Sequence, residues 1–112
     1  MKISSRTENG VTILELLGNI KTLGDMEEFS SAIQAELDRK NLKLLLNFQE
    51  VGFVNSSGLG RLVLASKKVS EVGGIMKVSG LAQDLDELFT FTRLKEKIAV
   101  FKNEAEGIRS FQ

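Results

Sequence analysis

The chain has 112 residues, 42% of them hydrophobic, and its 15 Lys and Arg balance its 15 Asp and Glu. That length suits one domain, residues 1–112, able to build its own core, and zero formal charge argues against nucleic acid as the main partner, because phosphate binding wants a basic surface. Absence of Cys and His excludes disulfides, cysteine–zinc sites, thiol catalysis and the usual imidazole base.

The N-terminal stretch has no apolar segment of signal-peptide length, and no apolar run approaches the roughly 20 residues needed to span a bilayer. A cytoplasmic protein with no membrane partner and no direct nucleic-acid partner is expected.

Ile3 to Glu8 is a β candidate. Asn9-Gly10 follows, and both residues tolerate the positive φ of a two-residue hairpin. Val11 to Leu17 is rich in β-branched residues and reads as the second strand, paired antiparallel with the first. From Asp25, the residues Met26, Phe29, Ile33 and Leu37 form one apolar stripe and predict a helix. Asp25, Glu27 and Glu28 fall in its first turn and Arg39 and Lys40 in its last, a polarity that suits the helix dipole. Leu42 to Phe48 is a nearly continuous apolar run, as in a central strand covered on both faces.

Val51 to Val54 leads into Asn55-Ser56-Ser57-Gly58-Leu59-Gly60. A helix then runs from about Ser56 to Val72, with Leu59, Leu62, Val63, Ser66, Val69 and Val72 on one side, and Gly73-Gly74 stops it. Ile75 to Ser79 is a strand. Leu81, Leu85, Leu88 and Phe89 mark a short helix, Leu94 to Lys97 a loop, and Ile98 to Phe101 a short strand. Asn103 is the N-cap of a last helix ending near Phe111. The order β-β-α-β-α-β-α-β-α implies an α/β fold: a mostly parallel sheet with right-handed crossovers, an antiparallel edge hairpin and about four helices.

Sites in such sheets lie at the carboxyl ends of the strands. That places two loops together, Gly18 to Gly24 and Asn55 to Gly60. Two glycines at the head of a helix are an awkward choice for a scaffold, because each costs about 1 kcal/mol relative to Ala. The plain reading makes Asn55 or Ser56 an N-cap and the rest a tight turn. The functional reading makes a serine hydroxyl a phosphorylation site. The free N–H groups and dipole of a helix N-terminus accommodate an anion, so phosphate would change the surface and leave the fold intact. Gly58 and Gly60 would then let a partner's backbone approach closely. Gly58-Leu59-Gly60 is no dinucleotide fingerprint, and no Gly-Lys-Ser/Thr completes a P-loop. Asp84, Asp86 and Glu87 read as a solvated first helical turn, so no metal site, no catalytic residue and no cofactor are expected.

Phe53-Val54-Asn55-Ser56-Ser57-Gly58-Leu59-Gly60, together with Gly18 and its loop, Gly73-Gly74 and the Leu/Phe-rich third helix, resembles the bacterial anti-sigma factor antagonists (anti-anti-sigma factors), the single-domain members of the STAS family. Their signature is Asp-Ser-Ser-Gly-Leu-Gly or close to it. The resemblance covers essentially the whole chain and implies a STAS-type fold and a partner switch in transcription regulation, such as a stress response. The unphosphorylated protein would bind an anti-sigma factor that is also a serine kinase. Phosphorylation of Ser56, with Ser57 as second choice, would release it, and a serine phosphatase would reset the switch. ATP and metal would belong to those partners. The implied contact residues are Lys21, Asn55, Ser56, Ser57, Gly58, Leu59 and Gly60.

Two positions depart from the family pattern. Asn55 stands where Asp is usual before the serines, and Lys21 where Asp usually follows the Gly of the preceding loop. Both remove negative charge near Ser56, with two outcomes open. A phosphate there is less repelled and can pair with Lys21, or a basic group on the partner loses its acidic contacts, in which case restoring Asp at both is expected to raise affinity for a typical kinase partner. The alternative is a constitutive STAS scaffold that is never phosphorylated, and a third reading is a small-ligand binder using the same helix end. Nothing demands a dimer, and a monomer is expected for the free protein.

Overall fold

The computed structural model describes Met1–Gln112. Its strands are β1 (Lys2–Glu8), β2 (Val11–Leu17), β3 (Lys43–Glu50), β4 (Ile75–Ser79) and β5 (Val100–Phe101), and its helices α1 (Leu23–Asp38), α2 (Ser56–Glu71), α3 (Gln83–Phe91) and α4 (Glu104–Arg109). One sheet takes the strands in sequence order. Only β1 and β2 are antiparallel; the other neighbours run parallel. This is the expected α/β architecture, with the antiparallel hairpin at one edge.

Asn9-Gly10 makes that hairpin. Glu8 pairs with Val11, and the two turn residues take φ of 53° and 80°. Positive φ at both central positions is the geometry whose twist matches the flanking strands.

Alternation along the strands divides the core. Leu14 and Leu16 of β2, Leu44, Leu46 and Phe48 of β3, and Met76 and Val78 of β4 face one way, against α1, α2 and α3. Phe29, Phe48 and Phe89 are fully buried there, each worth about 1.5–3 kcal/mol in removed apolar surface. Val11, Ile13 and Leu45 face the other way, under Ile108 of α4. β3 is thus covered on both faces, which is why Leu44, Leu45 and Leu46 run together in its middle. Burial pushes the Glu104 carboxyl of α4 up, but hydrogen bonds from Arg6 and Asn47 outweigh it and hold the group below its usual value. The same bonds dock α4 onto the sheet.

Several boundaries differ from expectation. α1 starts two residues before Asp25, because Thr22 is its N-cap: Thr22 Oγ1 accepts from the Asp25 N–H at 3.0 Å, and Asp25 Oδ2 accepts from the Thr22 N–H at 3.0 Å. This reciprocal pair is a capping box. α1 ends at Asp38, so Arg39 and Lys40 lie beyond its last turn. α2 stops at Glu71; Val72 is 54% exposed and Ser66 only half-buried, and Leu62, Ala65 and Val69 make the inward face. Leu94–Glu96 form a short 3-10 turn rather than a plain loop, and the last strand keeps only Val100 and Phe101. Ile98 is buried in the core all the same.

Glu36 ties three segments together. It is 3% exposed, and its carboxylate accepts from Ser5 Oγ (3.1 Å), Arg39 Nη1 (3.1 Å) and Asn41 Nδ2 (2.8 Å). Glu36→Ala leaves the Ser5 and Asn41 donors without their acceptor and is expected to cost about 2–4 kcal/mol. Arg39 is largely exposed, so Arg39→Ala should cost less than about 1 kcal/mol. Urea unfolding of the two variants checks the contrast.

Candidate functional site

β2 and β3 are parallel neighbours, so their carboxyl-terminal loops leave the sheet side by side, and their pairing continues past the strands. The Gly18 N–H donates to Glu50 O at 3.3 Å, the Ile20 N–H to Phe53 O at 3.0 Å and the Asn55 N–H to Ile20 O at 3.0 Å. Ile20 and Val54 form an isolated parallel bridge, and both side chains are buried. Asn19 adds a side-chain clasp: its Oδ1 accepts from the backbone N–H of Gly52 and of Phe53, both at 3.0 Å.

Asn55 is the N-cap of α2. Its Oδ1 accepts from the Gly58 N–H at 2.7 Å, and its Nδ2 donates to Lys21 O at 3.0 Å. One amide therefore closes the first turn of α2 and ties that turn to the β2–α1 loop. Asn55, rather than Ser56, is the cap, which leaves both serines inside the helix.

Ser56 and Ser57 are the first two helical residues, and both are exposed. Gly58 corrects an expectation. It is buried, and a Cβ there would lie 2.8 Å from Val54 Cγ1, 3.0 Å from Ile20 Cγ2 and 3.2 Å from Asn55 Oδ1. Its missing side chain lets the Ile20–Val54 bridge close against the helix; it does not open a path for a partner. Gly60 does face outward, with open space where a Cβ would stand. Leu59 is half-buried and packs on the main core, so only part of it is free. Lys21 is exposed beside Asn55.

Asn19 was not singled out by sequence reasoning, although Asn after Gly in a loop is a known side-chain-to-backbone linker. Phe53, 51% exposed, and Leu23, 62% exposed, are surface groups that the sequence pattern does not mark as exposed. Each is a large apolar side chain in one of the two loops or just beyond it.

Local charge is sparse. Glu50 is the only charged residue between Asn47 and Gly60. Asp25 is nearby in sequence, but its carboxylate is engaged: backbone N–H groups of Lys21 and Thr22 hold its pKa down at about 2 from the usual 3.8.

Comparison with known proteins agrees with this geometry. Residues 2–107 match the model of the STAS domain. The chain belongs to the STAS domain family. A Bacillus subtilis relative, the anti-sigma-B factor antagonist, is 27% identical over 80% of this chain and 86% of its own length. Among solved structures, an anti-sigma factor antagonist from Mycobacterium paratuberculosis superposes with a TM-score of 0.85 at 17% identity, covering 97% of this chain and 92% of that one. The Bacillus cell fate determinant SpoIIAA in its phosphorylated form superposes with a TM-score of 0.74 at 17% identity, covering 99% of this chain and 100% of that one. The sequence resemblance to the antagonists of the STAS family is therefore borne out, and so is the fold. No helix of this STAS chain is long and apolar enough to cross a membrane.

Two outcomes follow from the clasp. Asn and Asp are near equals as N-caps, yet Asn55→Asp removes the donor to Lys21 O and sets a carboxylate oxygen against that carbonyl. It is expected to destabilise the fold by about 1–2 kcal/mol, measured by chemical denaturation at neutral pH. The second concerns Asp25. Its folded-state pKa lies below the unfolded value, so its contribution is complete above about pH 4 and is lost as pH falls through about 2. The melting-temperature gap between the wild type and Asp25→Asn should narrow across that window.

Proposed function

We propose that this STAS chain is a cytoplasmic anti-sigma factor antagonist that works as a phosphorylation-controlled switch, with no catalytic activity of its own. While Ser56 is unmodified, the face built from the two loops and the head of α2 binds an anti-sigma factor with serine kinase activity. The partner, which supplies ATP and metal, transfers the γ-phosphoryl group to Ser56 Oγ; the hydroxyl proton departs and ADP is left. The modified chain lets go, and a serine phosphatase hydrolyses the ester. Release of the sigma factor in the bound state is what couples the switch to transcription, as in a stress response.

The observation that carries this reading is the presentation of Ser56. Asn55 has taken the Gly58 N–H, so the helix begins at the serines with both side chains in solvent. The first N–H groups and dipole of α2 favour an added anion. Phosphate adds about −1.5 to −2 charges, and its desolvation opposes rebinding of the partner. The named function of the Bacillus subtilis relative supports the reading, as does the existence of SpoIIAA in a phosphorylated form. Ser57, equally exposed, is the second acceptor.

A second reading has one specific observation in its favour. Asn55 spends its amide on Lys21 O, a rigid link that a constitutive scaffold would also use, and neither position carries the acid usual in the family. Phosphosite mapping of protein purified from its host, in growth and under stress, separates the two. Ser56→Ala is expected to keep partner binding and Ser56→Asp to weaken it by about tenfold or more, with both variants melting like the wild type. Equal binding by the two variants would favour the scaffold.

A further inference from the structure

α1 and α2 pack side by side over the sheet, and a groove of about 550 Å³ lies between them. Ser30 and Ile33 line it from α1, and Arg61, Leu64, Lys67, Lys68 and, at the far end, Glu71 from α2. Ser57, Arg61, Leu64 and Lys68 follow helical spacing and form one stripe, so the groove opens at Arg61, one helical turn beyond Ser57. The Arg61 guanidinium is held in place by donation to Ser30 Oγ at 3.1 Å and Met26 O at 3.5 Å. Leu64 is 62% exposed in the middle of the stripe, with Lys67 and Lys68 exposed beyond it.

The charges are sorted by helix. α2 carries Arg61, Lys67 and Lys68 and no acid before Glu71, its last residue. α1 carries Asp25, Glu27, Glu28, Glu36 and Asp38 and no base. A flat anionic surface laid across both helices would meet the exposed Glu27, Glu28 and Asp38 as well as the lysines. A narrow segment lying along α2 meets Arg61, Leu64, Lys67 and Lys68 before it reaches the one acid of that wall, Glu71, at the far end.

We infer that the α1–α2 groove is a docking site for an acidic amphipathic segment of a protein partner, with an apolar side chain seated on Leu64 and carboxylates over Arg61, Lys67 and Lys68. This rests on the reading of Ser56 as the switch and names the chemistry of the partner surface beside it. Asn55 and Lys21, which stand where acids are usual, fit the same partner: an acidic surface is repelled less by this chain than by one with the usual acids. Phosphate at the head of α2 then acts in two ways. It repels the partner's carboxylates directly, and it competes with them for Arg61, the base about one turn along the helix.

The test uses the full chain, labelled with ¹⁵N and titrated with two synthetic peptides of one apolar pattern. One carries Glu at its polar positions and the other Lys. Saturable shifts confined to groove amides with the Glu peptide, weakening as salt rises, are expected, with no such shifts from the Lys peptide. Lys67→Glu with Lys68→Glu should weaken the Glu peptide by about tenfold or more without changing the melting temperature. No binding, equal binding of both peptides, or an unaffected double variant overturns the inference. So do groove shifts on dilution of the chain alone, which would make the face a self-interface, and equally Lys67- and Lys68-dependent binding to phosphatidylglycerol vesicles. The peptide result does not depend on phosphorylation, so failure here leaves the Ser56 switch standing, and an unphosphorylated Ser56 leaves the groove standing.

Discussion

Backbone pairing that outlasts the strands positions everything at the candidate site. β2 ends at Leu17 and β3 at Glu50, yet the two chains keep exchanging hydrogen bonds until Asn55. Parallel neighbours lie about 4.8 Å apart, so extending the ladder holds both loops at that spacing as they turn out of the sheet. The extension buries Ile20 and Val54 beneath the first turn of α2, and only a residue without a Cβ fits between them and the helix. Gly58 is that residue. The exposure of Ser56 and Ser57 follows from what lies underneath them.

Two asparagines convert this ladder into a fixed surface. Asn19 clasps the Gly52–Phe53 backbone, and Asn55 bridges the Gly58 N–H and the Lys21 carbonyl. An amide can accept at one end and donate at the other, whereas a carboxylate can only accept. The departure from the family pattern at position 55 therefore changes geometry as well as charge. A loop surface held this way loses little conformational freedom when a partner docks, which lowers the ordering cost of association.

The rest of the molecule divides its labour by sheet face. The face under α1, α2 and α3 holds the main core, and α2 is fixed to it through Leu62, Ala65 and Val69. The opposite face is closed by the short α4, docked by Arg6, Glu104 and Asn47 at one end and by Lys77 on Ser110 at the other, at 2.9 Å to Oγ. Neither of these contacts touches the serine-bearing end of α2. A charge change there alters the surface while the core that orients the helix stays in place.

Periodicity and turn chemistry in the sequence determined the element order, the edge hairpin, the doubly covered β3 and the two loops that form the site. These are local signals: Asn9-Gly10 needs no distant partner to turn, and the apolar stripe of α1 marks its own face. The serines and their helical start were legible for the same reason. Helix ends were less so, because Thr22 and Asp25 cap α1 reciprocally and extend it by a turn's fraction that the apolar stripe does not mark. Tertiary structure alone decided the inward role of Gly58, the clasp of Asn19 and the second bond of Asn55. Each depends on a residue more than thirty positions away or on a packing distance between elements, and a one-dimensional pattern carries neither. The sorting of acids onto α1 and bases onto α2 was written in the sequence, but it became a groove only when the sheet set the two helices side by side.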